Sequence, residues 1–135
     1  MDISNFVIID ERKEKRKIKC VMIDETMMIK YATDNMLNNK IRLLYSNRNS
    51  IFLCKDELDM LSSMNKNINI VYTVTGSDLE WKGRFGRIDE DMIKEYCDLD
   101  SLFYICGPPS MVNDMSRILK EMGVKSILTE GFTGY

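Results

Sequence analysis

Histidine is absent from this 135-residue chain, and proline occurs only twice. The first absence removes the commonest general base and the commonest zinc ligand together. No Ser-His or Cys-His nucleophile pair can therefore form, and no metal site is expected. Hydride transfer remains open, because a cofactor supplies its reactivity. Charge of one sign is also lacking: 19 Lys and Arg oppose 21 Asp and Glu, for a net charge of −2. Nucleic acid and an anionic membrane surface both call for a basic field, so neither is expected as a partner. The one basic run, "ERKEKRK" (11–17), is broken by two glutamates and reads as a solvated hairpin tip. No apolar run is long enough to span a bilayer, and no leader peptide is evident. The four cysteines, Cys20, Cys54, Cys97 and Cys106, include no Cys-x-x-Cys. Reduced thiols and a cytoplasmic location are the expectation.

Short apolar runs alternate with helix-patterned segments. "KIKCVMID" (17–24), "IRLLYS" (41–46), "INIVYTVT" (68–75), "LFYICG" (102–107) and "VKSILT" (124–129) read as five strands. Their continuous rather than alternating character suits parallel strands covered on both faces. Helices are expected over "MMIKYATDNML", "KDELDMLSSM", "DEDMIKEYC" and "SMVNDMSRILKEM". Leu58, Leu61 and Met64 lie at helical spacing in the second, and Asp89 suits the N-cap of the third. Gly123 ends the fourth. This order predicts an α/β fold with a doubly wound, five-stranded parallel sheet. "NFVIID" (5–10) is expected as an extra strand, so residues 1–16 form an appendage and 17–135 the domain. No internal repeat is apparent. Ligands of such sheets bind beyond the carboxyl ends of the strands.

One of those ends is "YICGPPSMV", where a strand finishes in a cysteine, a glycine and both prolines. Gly107 permits close approach of a ligand, and a proline presets the first helical turn. Cys106 is expected at the mouth of a crevice, where the helix dipole favours its thiolate; a buried cysteine at a tidy helix start is the alternative reading.

"YICGPPSM" resembles the Cys-Gly-Pro-x-x-Met signature of the NAD(P)-binding domain in the ferredoxin–NADP reductase superfamily. "WKGRFGRI" (81–88) is similar to that family's Trp-x-Gly-x-x-Gly-x-Ile segment, and "LTEGFTGY" to the tail of some members. The resemblance implies a Rossmann-like domain that delivers a nicotinamide to a flavin held by a β-barrel. It implies catalytic positions at Cys106 and Glu130, and cofactor-binding positions at Thr26, Gly107, Pro108, Met111, Phe132 and Tyr135. Its cofactors are NAD(P)H, with NADH mildly favoured because "VTGSD" lacks the Ser-Arg pairing of many NADP-specific members, and FAD supplied only through a partner. A flavin-domain protein is the partner the resemblance implies; a second copy of the chain is the partner if the fold serves as a scaffold.

One stretch departs from that family. Asp24, Glu25 and Met27 occupy the glycine positions of its phosphate loop, and Lys30 its proline; only Thr26 agrees. Each carboxylate at contact distance from a pyrophosphate would cost roughly 1–4 kcal/mol. A helix terminus offsets that by only about 0.3–1 kcal/mol. Two functions therefore remain open: an oxidoreductase component that takes electrons from NAD(P)H, and a binding or scaffold module that kept the fold and lost dinucleotide binding. Cys106 as a redox thiol is a third.

Overall fold

A computed structural model of the protein describes residues 5–12, 29, 33–36 and 38–131. Among these residues, six strands and three helices follow one another as β1 (Asn5–Arg12), β2 (Lys40–Asn47), α1 (Lys55–Met64), β3 (Ile68–Val74), β4 (Arg84–Phe85), α2 (Glu90–Tyr96), β5 (Leu102–Gly107), α3 (Pro109–Glu121) and β6 (Ile127–Gly131). The strands form one sheet in the order β4-β3-β2-β1-β5-β6, parallel throughout. The expected fold class holds, with one strand more than the five anticipated.

The sheet is apolar on both faces, as its continuous runs require. Val7, Ile9, Leu44, Phe103 and Ile105 pack with Met92 and Ile93 of α2 and with Met111, Val112, Met115 and Leu119 of α3. Ile8, Ile41, Leu43, Tyr45 and Ile68 pack with Leu58 and Leu61 of α1, and with Ile29 and Phe52. Each such side chain, fully buried, contributes about 1.5–3 kcal/mol. Helix ends follow the sequence closely. The Asp89 carboxylate accepts from the Met92 amide at 2.9 Å, which caps α2 as expected. Gly123, at φ +95°, turns the chain after α3.

Four expectations need correction. Asn5–Arg12 is no appendage: β1 lies at the middle of the sheet, paired along its length with β2 and beside β5. Val7, Ile8 and Ile9 are all buried, and only an inner strand of a two-sided sheet buries three consecutive residues. Lys17–Asp24, expected as a strand, lies outside the described residues. The two segments echo one another: "FVIIDE" (6–11) and "CVMIDE" (20–25) share Val, Ile, Asp and Glu at the same spacing. Second, the last strand begins at Ile127 rather than Val124; Val124 is buried, and its amide bonds back to the Leu119 carbonyl at 3.0 Å. Third, of the three residues at helical spacing in α1, Leu58 and Leu61 are buried while Met64, at the helix end, is exposed. Fourth, Cys54 takes part in a disulfide, whereas Cys97 and Cys106 do not, so the thiols are not all reduced. Of the helix expected after the first strand, Ile29, Thr33 and Asp34 are helical.

Candidate functional site

The chain reverses its direction of travel across the sheet at β1. It runs outward through β2, β3 and β4, then crosses to the opposite side as β5 and β6. The crevice of such a fold opens beyond the carboxyl ends of β1 and β5, and the cysteine–glycine–proline junction lies there. Strand register aligns Tyr72, Tyr45, Asp10, Cys106 and Glu130 in one row across five strands. The two positions singled out as catalytic, Cys106 and Glu130, are therefore direct register partners. Gly107 pairs with Gly131 one level further out. Thr26, Phe132 and Tyr135, together with Asp24, Glu25 and Met27, lie outside the described residues.

Cys106 does not stand at an open mouth. Its exposure is 0%, because it ends an inner strand flanked by β1 and β6. Burial removes the access that a redox thiol requires. Met111, at 4% exposure, belongs to the α3 core with Met115 and Leu119 and supports the junction from beneath. Pro108 is half-buried, while Pro109 and Ser110 form the exposed rim.

The start of α3 differs from the other two helix starts. Asp56 and Glu57 sit in the first turn of α1, and Glu90 and Asp91 in that of α2. The first turn of α3 has no acidic residue and its N-cap, Pro108, makes no side-chain bond. That start therefore presents the positive end of the helix dipole with no carboxylate from its own first turn. A second polar group is available at the carboxyl end of β2. The hydroxyl of Ser46 is fully buried and has no hydrogen-bond partner among the described residues.

Across from α3, the loops after β2 and β3 are clasped together. The Thr75 amide donates to the Asn47 carbonyl at 2.9 Å, and the Gly76 amide to that of Arg48 at 3.0 Å. The Ser50 amide donates to the Asp78 carboxylate at 2.8 Å. Hydrogen bonds from Ser50 hold the Asp78 carboxyl below its ordinary pKa. The Asn47 side chain spans its own loop, donating to the carbonyls of Asn49 and Ile51 at 3.1 and 2.9 Å. A Cβ on Gly76 would come within 2.5 Å of the Arg48 carbonyl oxygen; glycine there is a requirement of close approach.

An aromatic cluster braces the clasp. The Phe52 ring lies 5.1 Å from Tyr45, 4.8 Å from Tyr72 and 5.5 Å from Trp81. The Trp81 indole N–H donates to the Arg84 carbonyl at 2.8 Å, and a Cβ on Gly83 would meet that indole at 2.6 Å. The Tyr72 hydroxyl donates to Asp59 at 2.7 Å. Burial first, and the bond to Asp59 second, push its pKa well above the ordinary phenol value. Arg84 is engaged with Thr73 at 3.2 Å and Asp89 at 3.7 Å, whereas Arg48 and Arg87 are exposed. The clasp was not anticipated; its signal was the polar turn residues Asn47, Gly76 and Asp78 at strand ends. No cluster of His, Cys, Asp or Glu among the described residues could hold a metal ion, and none of their helices is long and apolar enough to cross a membrane.

The family described as the oxidoreductase NAD-binding domain matches residues 11–117. The chain belongs to that family. A nitrate reductase [NADPH] of Emericella nidulans is 30% identical over 115 residues, which are 83% of this chain and 11% of that protein. An Arabidopsis thaliana NADH-cytochrome b5 reductase-like protein is 39% identical over 103 residues, 64% of this chain and 31% of the relative. The same fold is seen in the cytochrome b5 reductase domain of Ulva prolifera nitrate reductase, with a TM-score of 0.80 at 24% identity. That likeness covers 96% of this chain and 51% of the other. This NAD-binding domain thus corresponds to a minor part of its curated relatives and to about half of the solved reductase domain. By the family's description it is the NAD-binding domain of an oxidoreductase.

Proposed function

We propose that this NAD-binding domain binds a nicotinamide dinucleotide at the carboxyl edge of its sheet and presents it to a flavin carried on another polypeptide segment. The observation that carries this reading is the junction at the switch point. Cys106 and Glu130 are register partners there, beside the acid-free start of α3. The residues present fit such a ligand in two respects. The α3 amides offer an anion contact, and the buried Ser46 hydroxyl offers an unused polar atom. Gly107 and Pro108 would flank the nicotinamide. Met111 would hold the junction rigid from below, and Phe132 or Tyr135 would lie against the flavin. When bound, the nicotinamide supplies a hydride. The chain contributes placement and exclusion of water rather than proton transfer, since no histidine is present. NADH is the preferred form, because Arg84 is already committed to Thr73 and Asp89.

Calorimetric titration with NADH and with FAD, separately and together, tests the proposal. Saturable NADH binding supports it; no binding at millimolar NADH ends it. A second reading rests on the acidic phosphate-loop positions: the domain has kept the fold for contact with a protein and binds no dinucleotide. Replacing Asp24, Glu25 and Met27 together by glycine separates the two. NADH binding that appears only in that variant supports the second reading.

A further inference from the structure

Three methionines stand in water, where packing does not account for them. Met36, Met60 and Met64 are 85%, 49% and 65% exposed, so their apolar side chains gain little of the stabilisation that burial gives. Met92, Met111 and Met115, by contrast, are buried in the core that the sheet shares with α2 and α3. The exposed three also lie together. Met60 and Met64 are four residues apart on α1, which makes them neighbours on one helix face. Thr33 joins Met36 to the same helix end. Its carbonyl accepts from the Met36 amide at 3.2 Å, and its hydroxyl accepts from the side-chain amide of Asn65 at 3.2 Å; Asn65 directly follows Met64. Met36 precedes β2 and Met64 precedes β3. The cluster therefore sits toward the amino edge of the parallel sheet, away from the crevice at its carboxyl edge.

We propose that Met36, Met60 and Met64 form an oxidant-accepting surface that reacts with hydrogen peroxide ahead of the core methionines. The thioether sulfur gives an electron pair to one peroxide oxygen, the S–O bond forms and the O–O bond breaks. The proton on the transferred oxygen passes to the departing hydroxide, which leaves as water. Sulfur is oxidised by two electrons and the peroxide is reduced by two. At these positions the new sulfoxide oxygen faces solvent and disturbs no packing. The same change at Met111 would place a polar atom among Val112, Met115 and Leu119, beneath the cysteine–glycine–proline junction, where a polar group without a partner is destabilising. The surface thioethers shield that core, and a methionine sulfoxide reductase restores them. This role does not depend on dinucleotide binding.

The test exposes the full chain at neutral pH to about three equivalents of hydrogen peroxide, one for each exposed sulfur. Peptide mass spectrometry then reads sulfoxide at each methionine. Met36, Met60 and Met64 are expected to oxidise roughly tenfold faster, or more, than Met92, Met111 and Met115. In the triple variant Met36→Leu, Met60→Leu, Met64→Leu, the same dose should raise sulfoxide at the three core positions by roughly twofold or more. The treated variant should also melt below the treated wild type, although the two match before treatment. Core oxidation as fast as surface oxidation in the folded wild type overturns the proposal, as does an unchanged core yield in the triple variant. The wild-type rate comparison decides alone if the variant fails to fold.

Discussion

Replacement of Gly76 by alanine should open the clasp between the loops after β2 and β3. The added Cβ would stand 2.5 Å from the Arg48 carbonyl oxygen. That atom belongs to the backbone and cannot swing aside as a side-chain end would. Ordinary contact needs close to another ångström, so the loops must separate by that amount. The Gly76–Arg48 hydrogen bond at 3.0 Å is lost first, and its neighbour from Thr75 to Asn47 at 2.9 Å is stretched. At about 0.5–1.5 kcal/mol net for each bond, the cost is about 1–3 kcal/mol. A domain of this size then melts roughly 4–12 °C lower. The assay is direct because Trp81 is the sole tryptophan and braces the same wall. Its emission should shift in Gly76→Ala under native conditions, and urea unfolding should show a lower midpoint at unchanged slope. NADH affinity should fall in parallel. Gly123→Ala is the control for backbone strain without crowding, since its Cβ would meet nothing within 4 Å. A Gly76→Ala protein with wild-type stability and emission would refute the close-approach argument.

Other perturbations follow from the same structure. Asp89→Ala removes the cap on the Met92 amide and should lower stability by about 0.5–2 kcal/mol in urea unfolding, with Asp89→Asn recovering most of it. Leu119→Ala, at a position with 0% exposure between α3 and the sheet, should cost about 2–5 kcal/mol. Burial pushes the Cys97 thiol up to about 12, with Arg42 opposing. An unfolded thiol ionises near 8.5, so this group's share of stability is intact below that pH and declines above it, by no more than about 1.4 kcal/mol per pH unit. Unfolding curves from pH 7 to 10.5 should therefore be flatter for Cys97→Ala than for wild type, and thiol reagents should leave the buried Cys106 unlabelled until the protein unfolds.

Much of the fold was legible because a two-sided parallel sheet writes itself as uninterrupted apolar runs. β2, β3 and β5 fall within a residue or so of where those runs place them, and the α2 cap at Asp89 follows from its acid and its position alone. Asn5–Arg12 was read as an addition rather than a central strand because its place rests on pairing with β2 and β5, which no local pattern reveals. β4 escaped notice because two residues, Arg84 and Phe85, carry no periodicity. At the site, the junction at Cys106–Pro109 announced itself through its rare prolines. The burial of Cys106 did not, because exposure depends on the neighbours β1 and β6 rather than on the residue's own surroundings in sequence. The clasp was hidden for the same reason: Arg48 and Gly76 meet only once two strands lie side by side.

The position of β1 also governs how the molecule can be built. Its apolar core residues are made well before those of β5, the partner that closes its second edge, where Asp10 meets Cys106. During synthesis the strand must wait with an unpaired edge while nearly everything between emerges. Long-range parallel pairing of this kind is slow and exposes sticky surface in the interim. A ribosome-bound or truncated product lacking β5 should therefore engage chaperones or aggregate.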